Sequence, residues 1–346
     1  MEQLALIGMQ DKGHRYIKDH PLLRLLPRKW AKTIIPKTKA RFTETIYTLD
    51  NQDELGYIID VPGFFIDKDK LKDSIRVKIV NNLVDMLMKK NIKILVFPLW
   101  REFISLEEKK LLYQIPIFFL DGYLLRLISL MMAVERLFII LKINLNEMEV
   151  GIWGADTSIG QVWAEFLAPY LNYLIIGGHN TAILEDLSNR IIYNTGLSCA
   201  ISKKPRQCID NKVMAILSRP TEEKPHNTMI TIYSHQLLDK YLSSKNNIGN
   251  IIIESGWLSI PKSLKVINDL KPWDEIGVLE ASLFIMEETY RNILMDNPLN
   301  IENINNVKRL LNKYEINCTG MVSNTEILSY NGFRKLYTIK FQYLIP

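Results

Sequence analysis

The chain has 346 residues, 47% hydrophobic and 23% charged, and its net charge of +5 comes from 43 basic and 38 acidic side chains scattered together. That length accommodates two domains of ordinary size, each with its own core, and the composition excludes a disordered or fibrous protein. Nucleic-acid binders gather basic residues on one face; here the densest runs (Lys203, Lys204 and Arg206; Arg24, Arg28, Lys29 and Lys32) read as solvated loops, so no nucleic-acid partner is expected.

Residues 4–7 form a short apolar run that reads as a buried strand. Residues 41–49 and 54–61 flank a polar turn and read as a hairpin closed by Pro62 and Gly63. Leu71, Ile75, Ile79, Leu83 and Leu87 recur every fourth residue, the period of an amphipathic helix, which Asn91 ends. Strands are expected at 92–97 and 115–119, with a short helix at 107–113 between them and a long helix at 122–142 after them. Residues 124–141 are the most apolar stretch, but Arg126, Glu135 and Arg136 interrupt it, whereas a membrane span needs roughly 20 mostly apolar residues. A buried helix is expected there, with peripheral membrane contact as the other reading.

A second domain is expected to begin near Asn144. Strands at 149–153 and 173–176 enclose a helix, a strand-helix-strand unit whose crossover is right-handed. Further strands are expected at 199–201, 229–233 and 251–254, short apolar runs suited to a parallel sheet covered on both faces. The tail reads as helical. Ile276, Leu279, Leu283, Met286, Tyr290 and Leu294 share one helix face, and Ile301, Ile304, Val307 and Leu311 another after Pro298, with Asn300 as cap. The expected organisation is an N-terminal α/β domain over 1–145 and a Rossmann-type, doubly wound parallel sheet over 146–270. C-terminal helices over 271–346 are expected to pack back and close a cleft.

The segment Gly154, Ala155, Asp156, Thr157, Ser158, Ile159, Gly160 follows an apolar strand and opens an apolar helix. In dinucleotide-binding loops glycines permit the tight turn, the approach of backbone to pyrophosphate and close helix packing. The helix N-terminus supplies amide donors. Gly154 suits the turn and Gly160 the packing; Thr157 stands where a longer variant of the motif has its middle glycine, and its hydroxyl, like that of Ser158, can bond a phosphate or cap the helix. The second strand leads into Gly178, His179 and Asn180, with no carboxylate placed for a ribose diol and no arginine for a 2′-phosphate, so that Asn180 and His179 are the polar side chains left there. Cofactor-binding candidates are therefore Gly154, Ala155, Asp156, Thr157, Ser158, Ile159, Gly160, Gly178, His179, Asn180 and Ser234, for NADP or NAD.

The order of these features resembles the cyanobacterial long-chain acyl-(acyl carrier protein) reductases, whose second domain is of the shikimate-dehydrogenase-like Rossmann type. The likeness runs from Glu54-Leu55-Gly56-Tyr57-Ile58-Ile59-Asp60 through Met88-Lys89-Lys90-Asn91 and the Gly154–Gly160 loop. It continues at Ile251-Ile252-Ile253-Glu254-Ser255-Gly256, Glu280-Ala281-Ser282 and Asn331-Gly332-Phe333. It implies an NADPH-dependent reductase that takes an acyl group from an acyl carrier protein onto a cysteine. The position of that cysteine aligns near Val278, and the family arginine that follows the second strand aligns with Gly178 or His179. Valine cannot act as a thiolate nucleophile, so the thioester step is not expected to carry over.

Cys199, Cys208 and Cys318 show no zinc-ligand spacing and complete no metal site with the five histidines. Together with an N-terminus that lacks the pattern of a signal peptide, they point to the cytoplasm. His235 and Glu254 end strands at the expected carboxyl edge of the sheet. His235 is a candidate general acid or a histidine that caps the next helix; Glu254 faces the cleft or caps a turn. His14 and His20, beside Arg15 and Lys18, read as a polar loop. No residue is assigned a catalytic role. The expected function is an NAD(P)-binding oxidoreductase-like protein without the cysteine chemistry; the alternative is a non-catalytic relative that binds a nucleotide or acyl carrier protein.

Overall fold

The computed structural model describes residues 3–8, 39–50, 52–61, 64, 72–98, 100–141, 147–235, 250–295, 299–323 and 326–341. His14, His20, Arg15, Lys18 and the basic run from Arg24 to Lys32 lie outside the described residues, as do Pro62, Gly63, Leu71, Asn144 and Pro298. The chain makes two compact units, Met1–Leu125 with Pro261–Arg291, and Arg126–Ile260 with Asn292–Pro346.

In the first unit, β1 (Leu4–Ile7), β2 (Arg41–Tyr47), β3 (Glu54–Asp60), β4 (Ile94–Val96) and β5 (Phe118–Leu120) form a sheet in the order β2-β3-β1-β4-β5. All pairings are parallel except that of the edge strand β2 with β3, the expected hairpin. Leu4, Ala5 and Leu6 are fully buried, as a strand covered on both faces requires. Helix α1 (Asp73–Lys89) buries Ile79, Val80, Leu83 and Leu87, and Asn91 just beyond it has a left-handed φ of 52°. Helix α2 (Leu106–Leu112) opens with a capping box: Glu108 N–H donates to Ser105 Oγ at 3.2 Å, and Ser105 N–H to Glu108 Oε2 at 2.7 Å. Strand β5 begins later than expected, because residues 115–117 are still in a turn. The long helix expected at 122–142 is α3 (Tyr123–Leu141), which from Arg126 on belongs to the second unit; its Leu125, Ile128, Leu130, Met131, Val134 and Leu137 are fully buried. Among the described residues no helix is long and apolar enough to cross a membrane.

The second unit is built on six parallel strands: β6 (Glu149–Trp153), β7 (Tyr173–Gly177), β8 (Ala200–Ser202), β9 (Met214–Leu217), β10 (Ile230–Tyr233) and β11 (Ile251–Ile253). Helices α4 (Ser158–Leu167), α5 (Thr181–Thr195) and α6 (Pro205–Ile209) connect the first four. The order is β11-β10-β9-β6-β7-β8. Numbered within the unit it reads 6-5-4-1-2-3, the strand order of the doubly wound dinucleotide-binding fold. The protein is a mixed α/β protein with a Rossmann-like sheet, as expected, and β6 and β9 flank the point where the winding reverses.

Two parts of this unit escaped the sequence reading. Strand β9 was not expected, although residues 213–217 are an unbroken apolar run. The tail is not wholly helical: β12 (Ser255–Ser259), β13 (Asn317–Ser323) and β14 (Glu326–Ser329) make an antiparallel sheet. In the stretch that belongs to the first unit up to Arg291, the helix expected over 276–294 is two, α7 (Pro272–Met286) and α8 (Glu288–Met295), because Glu287 takes extended dihedrals. Helix α9 (Ile301–Lys313) starts as expected, with Asn300 accepting a hydrogen bond from Asn303 N–H, and α10 (Tyr330–Phe341) closes the described chain.

Candidate functional site

Beyond β6 the chain turns at Gly154, whose φ is 89°, a conformation glycine adopts without a side-chain penalty. The N–H groups of Gly154 and Ala155 both donate to Gly177 O at 2.8 Å, which fastens the turn to the end of β7. A β-carbon on residue 154 would lie 2.7 Å from Arg219 Cβ, and one on residue 160 would lie 2.6 Å from Ala155 Cα. Both glycines therefore hold the roles their spacing suggests. Thr157 needs no positive φ, since it lies at −95° as the N-cap of α4. Its hydroxyl accepts from Gly160 N–H at 3.2 Å and donates to Gly154 O at 2.7 Å. The first N–H groups of a helix have no partner within it. Those of Ser158 and Ile159 have none among the described residues, and Ser158 is exposed.

Asp156 brings a carboxylate from the glycine loop to the end of the second strand. Its Oδ2 accepts from His179 N–H at 2.9 Å and Asn180 N–H at 3.0 Å, and lies 3.2 Å from Arg219 Nη2. The carboxylate fills the space against Gly178, where any β-carbon would overlap it. Its Oδ1 is buried and has no hydrogen-bond partner among the described residues. His179 and Asn180 thus contribute their main-chain amides. The Asn180 side chain caps α5 by accepting from Ile183 N–H, and the His179 ring stands edge-on to Trp153 at 5.3 Å.

Arg219, missed from the sequence along with β9, completes the cluster. It follows β9 directly, on the far side of the switch point from Asp156. The signal was the apolar run ending in Ser218-Arg219-Pro220. Ser234, at the end of β10, is buried; its Oγ lies 2.9 Å from Ser218 Oγ, and its N–H donates to Leu217 O. The structure therefore gathers Gly154 through Gly160 with Gly178, His179 and Asn180 around Asp156, and sets Ser234 beside the residue preceding Arg219.

This edge offers a tight glycine turn, two amides at a helix start that have no partner among the described residues, and a guanidinium. Catalytic groups are not evident among the described residues. His235 is buried, and burial together with Arg126 holds its pKa down to about 3, so the imidazole is neutral near pH 7 and is not the general acid considered from sequence. Arg126 donates instead to the Tyr233, His235 and Glu254 carbonyl oxygens at 2.8, 3.1 and 2.9 Å, fastening the ends of β10 and β11. Burial pushes the Cys199 thiol up to about 11 and Cys208 up to about 12, and raises Cys318 as well. Val278 is buried in α7. No group of metal-ligating side chains assembles among the described residues. A shallow depression of about 520 Å³ between β8 and α6, bordered by Ser202, Arg206 and Lys212, contains no residue of the glycine loop, and the loop chemistry rather than this hollow defines the site.

No family model and no curated protein matches the chain. Solved structures that resemble it include an L-tryptophan dehydrogenase from Nostoc punctiforme, at 11% identity over 89% of this chain and 88% of that one, with a TM-score of 0.34. An ornithine carbamoyltransferase from Pyrococcus furiosus is similar at 7% identity over 82% of this chain and 83% of that one, with a TM-score of 0.31. Likenesses at this level assign neither substrate nor cofactor to the chain.

Proposed function

We propose that the second unit binds a nucleotide, a nicotinamide dinucleotide or adenosine nucleotide, through the Gly154–Gly160 turn, with Gly178, His179, Asn180 and Ser234 along the same sheet edge. One observation carries this reading: a glycine turn, followed by helix amides with no partner among the described residues, sits at the switch point of a sheet in the 3-2-1-4-5-6 order, where open α/β sheets take their ligands. Oxidoreductase-like chemistry would draw its hydride from the bound nucleotide, with the protein supplying orientation. The acyl-thioester route lacks a cysteine nucleophile, and an acyl carrier protein partner is left without support. Val278 is no thiol, and the three cysteines are raised well above neutrality.

The test is a fluorescence titration of the purified full-length chain with NADH, NADPH and ADP. Saturable binding of at least one, abolished in Gly154→Val, is the expected result. No binding of any of them at millimolar concentration would remove the reading.

A further inference from the structure

We infer that Arg219 is the phosphate-binding residue of this site and that Asp156 orients it for that task. The inference rests on the nucleotide reading above and names the ligand chemistry more narrowly, as a phosphate read by a guanidinium that a buried carboxylate holds from across the switch point. Arg219 follows β9 and packs against the Gly154 turn, with 28% of its side chain exposed. A guanidinium carries five N–H donors. Its ion pair with Asp156 at 3.2 Å is its only partner among the described residues, so most of its donors remain to be used.

Asp156 is itself almost wholly buried, with 2% of its side chain exposed. The His179 and Asn180 amides hold its Oδ2, so the carboxylate stays in place whether or not Arg219 bonds it. Its Oδ1 is a buried acceptor with no donor among the described residues. That oxygen packs against Gly178, so Asp156 acts on Arg219 through Oδ2, and an anion at Arg219 takes up the donors the ion pair leaves unused. The Ser158 and Ile159 amides at the start of α4 add donors for the same anion. Arginine suits this role because its planar fork matches two phosphate oxygens at once.

Calorimetric titration of the full-length protein with adenosine and with ADP tests the assignment. The wild type is expected to bind ADP at least about tenfold more tightly than adenosine, the scale of one charge-assisted contact. In Arg219→Gln that preference is expected to fall to about threefold or less. Inorganic pyrophosphate is expected to displace ADP from the wild type, a measurement that does not depend on the variant folding. An unchanged ADP preference in folded Arg219→Gln, or failure of pyrophosphate to compete at millimolar concentration, would overturn the role of Arg219 and leave nucleotide binding standing. Failure of the wild type to bind ADP, NADH or NADPH would overturn the nucleotide reading and this assignment with it.

Discussion

Asp156 occupies the volume that a β-carbon on Gly178 would need, so the glycine loop after β6 and the end of β7 are fitted to each other at these two residues. The carboxylate is fixed there by two main-chain amides, and the contact leaves residue 178 no alternative to glycine.

Gly178→Ala is therefore expected to destabilise the protein by about 1–3 kcal/mol, the usual cost of forcing atoms into packed space. Urea denaturation measures it. An unchanged midpoint would mean that Asp156 moves aside freely.

Thr157→Ala removes the side-chain cap of α4 and is expected to cost about 1 kcal/mol, while Thr157→Ser, which keeps the hydroxyl, should cost less. Thermal melts of the two variants separate the cap from any effect of side-chain size. Equal melting temperatures for both would contradict the capping role.

How much of this was legible in the sequence follows from the range of the forces involved. Gly154 and Gly160 announce their roles locally, because turn geometry and helix packing act within a few residues, and the apolar runs of β6, β7 and β10 mark strands covered on both faces. Asp156 meets residues 22 to 24 positions further along only because β6 and β7 are parallel neighbours in register. Sequence spacing alone placed the ribose carboxylate at the end of the second strand and found none. The apolar run before Arg219 marks its strand, but its pairing with Asp156 could not be read locally, since that partner lies across the switch point. The break at Glu287 was hidden because Tyr290 and Leu294 continue the apolar spacing past it.

Glu280 gives the first unit a pH dependence. It is fully buried; its carboxyl accepts from the Gly122 and Leu125 N–H groups at 2.7 and 3.2 Å and from Tyr290 Oη–H at 3.1 Å. Burial, aided by the charge of Asp121, raises its pKa from 4.5 to about 8. The folded state therefore holds a proton that the unfolded state releases above pH 4.5, so this stabilisation is full below that pH and is lost as pH rises through 8. Stability should fall by about 2 kcal/mol between pH 6 and pH 8. Glu280→Gln should flatten the profile, as followed by denaturant unfolding across that range. A wild-type profile that rises over the window would contradict the assignment.

The thiols should be inert. With Cys199 and Cys208 raised to about 11 and about 12 and Cys318 also raised, iodoacetamide at pH 7.5 is expected to label none of them in the native protein within an hour and all three after denaturation. Rapid alkylation of any one in the folded protein, read by mass spectrometry, would reopen the question of covalent chemistry.

Amide hydrogen exchange with and without saturating ADP or NADH tests the central claim most directly, because it reads the site itself. Protection is expected in the peptide containing Ser158 and Ile159 and in the one containing Arg219, with little change in the first unit's sheet. A nucleotide that binds while leaving both peptides unprotected, or that protects another part of the chain instead, would contradict a phosphate site at the switch point.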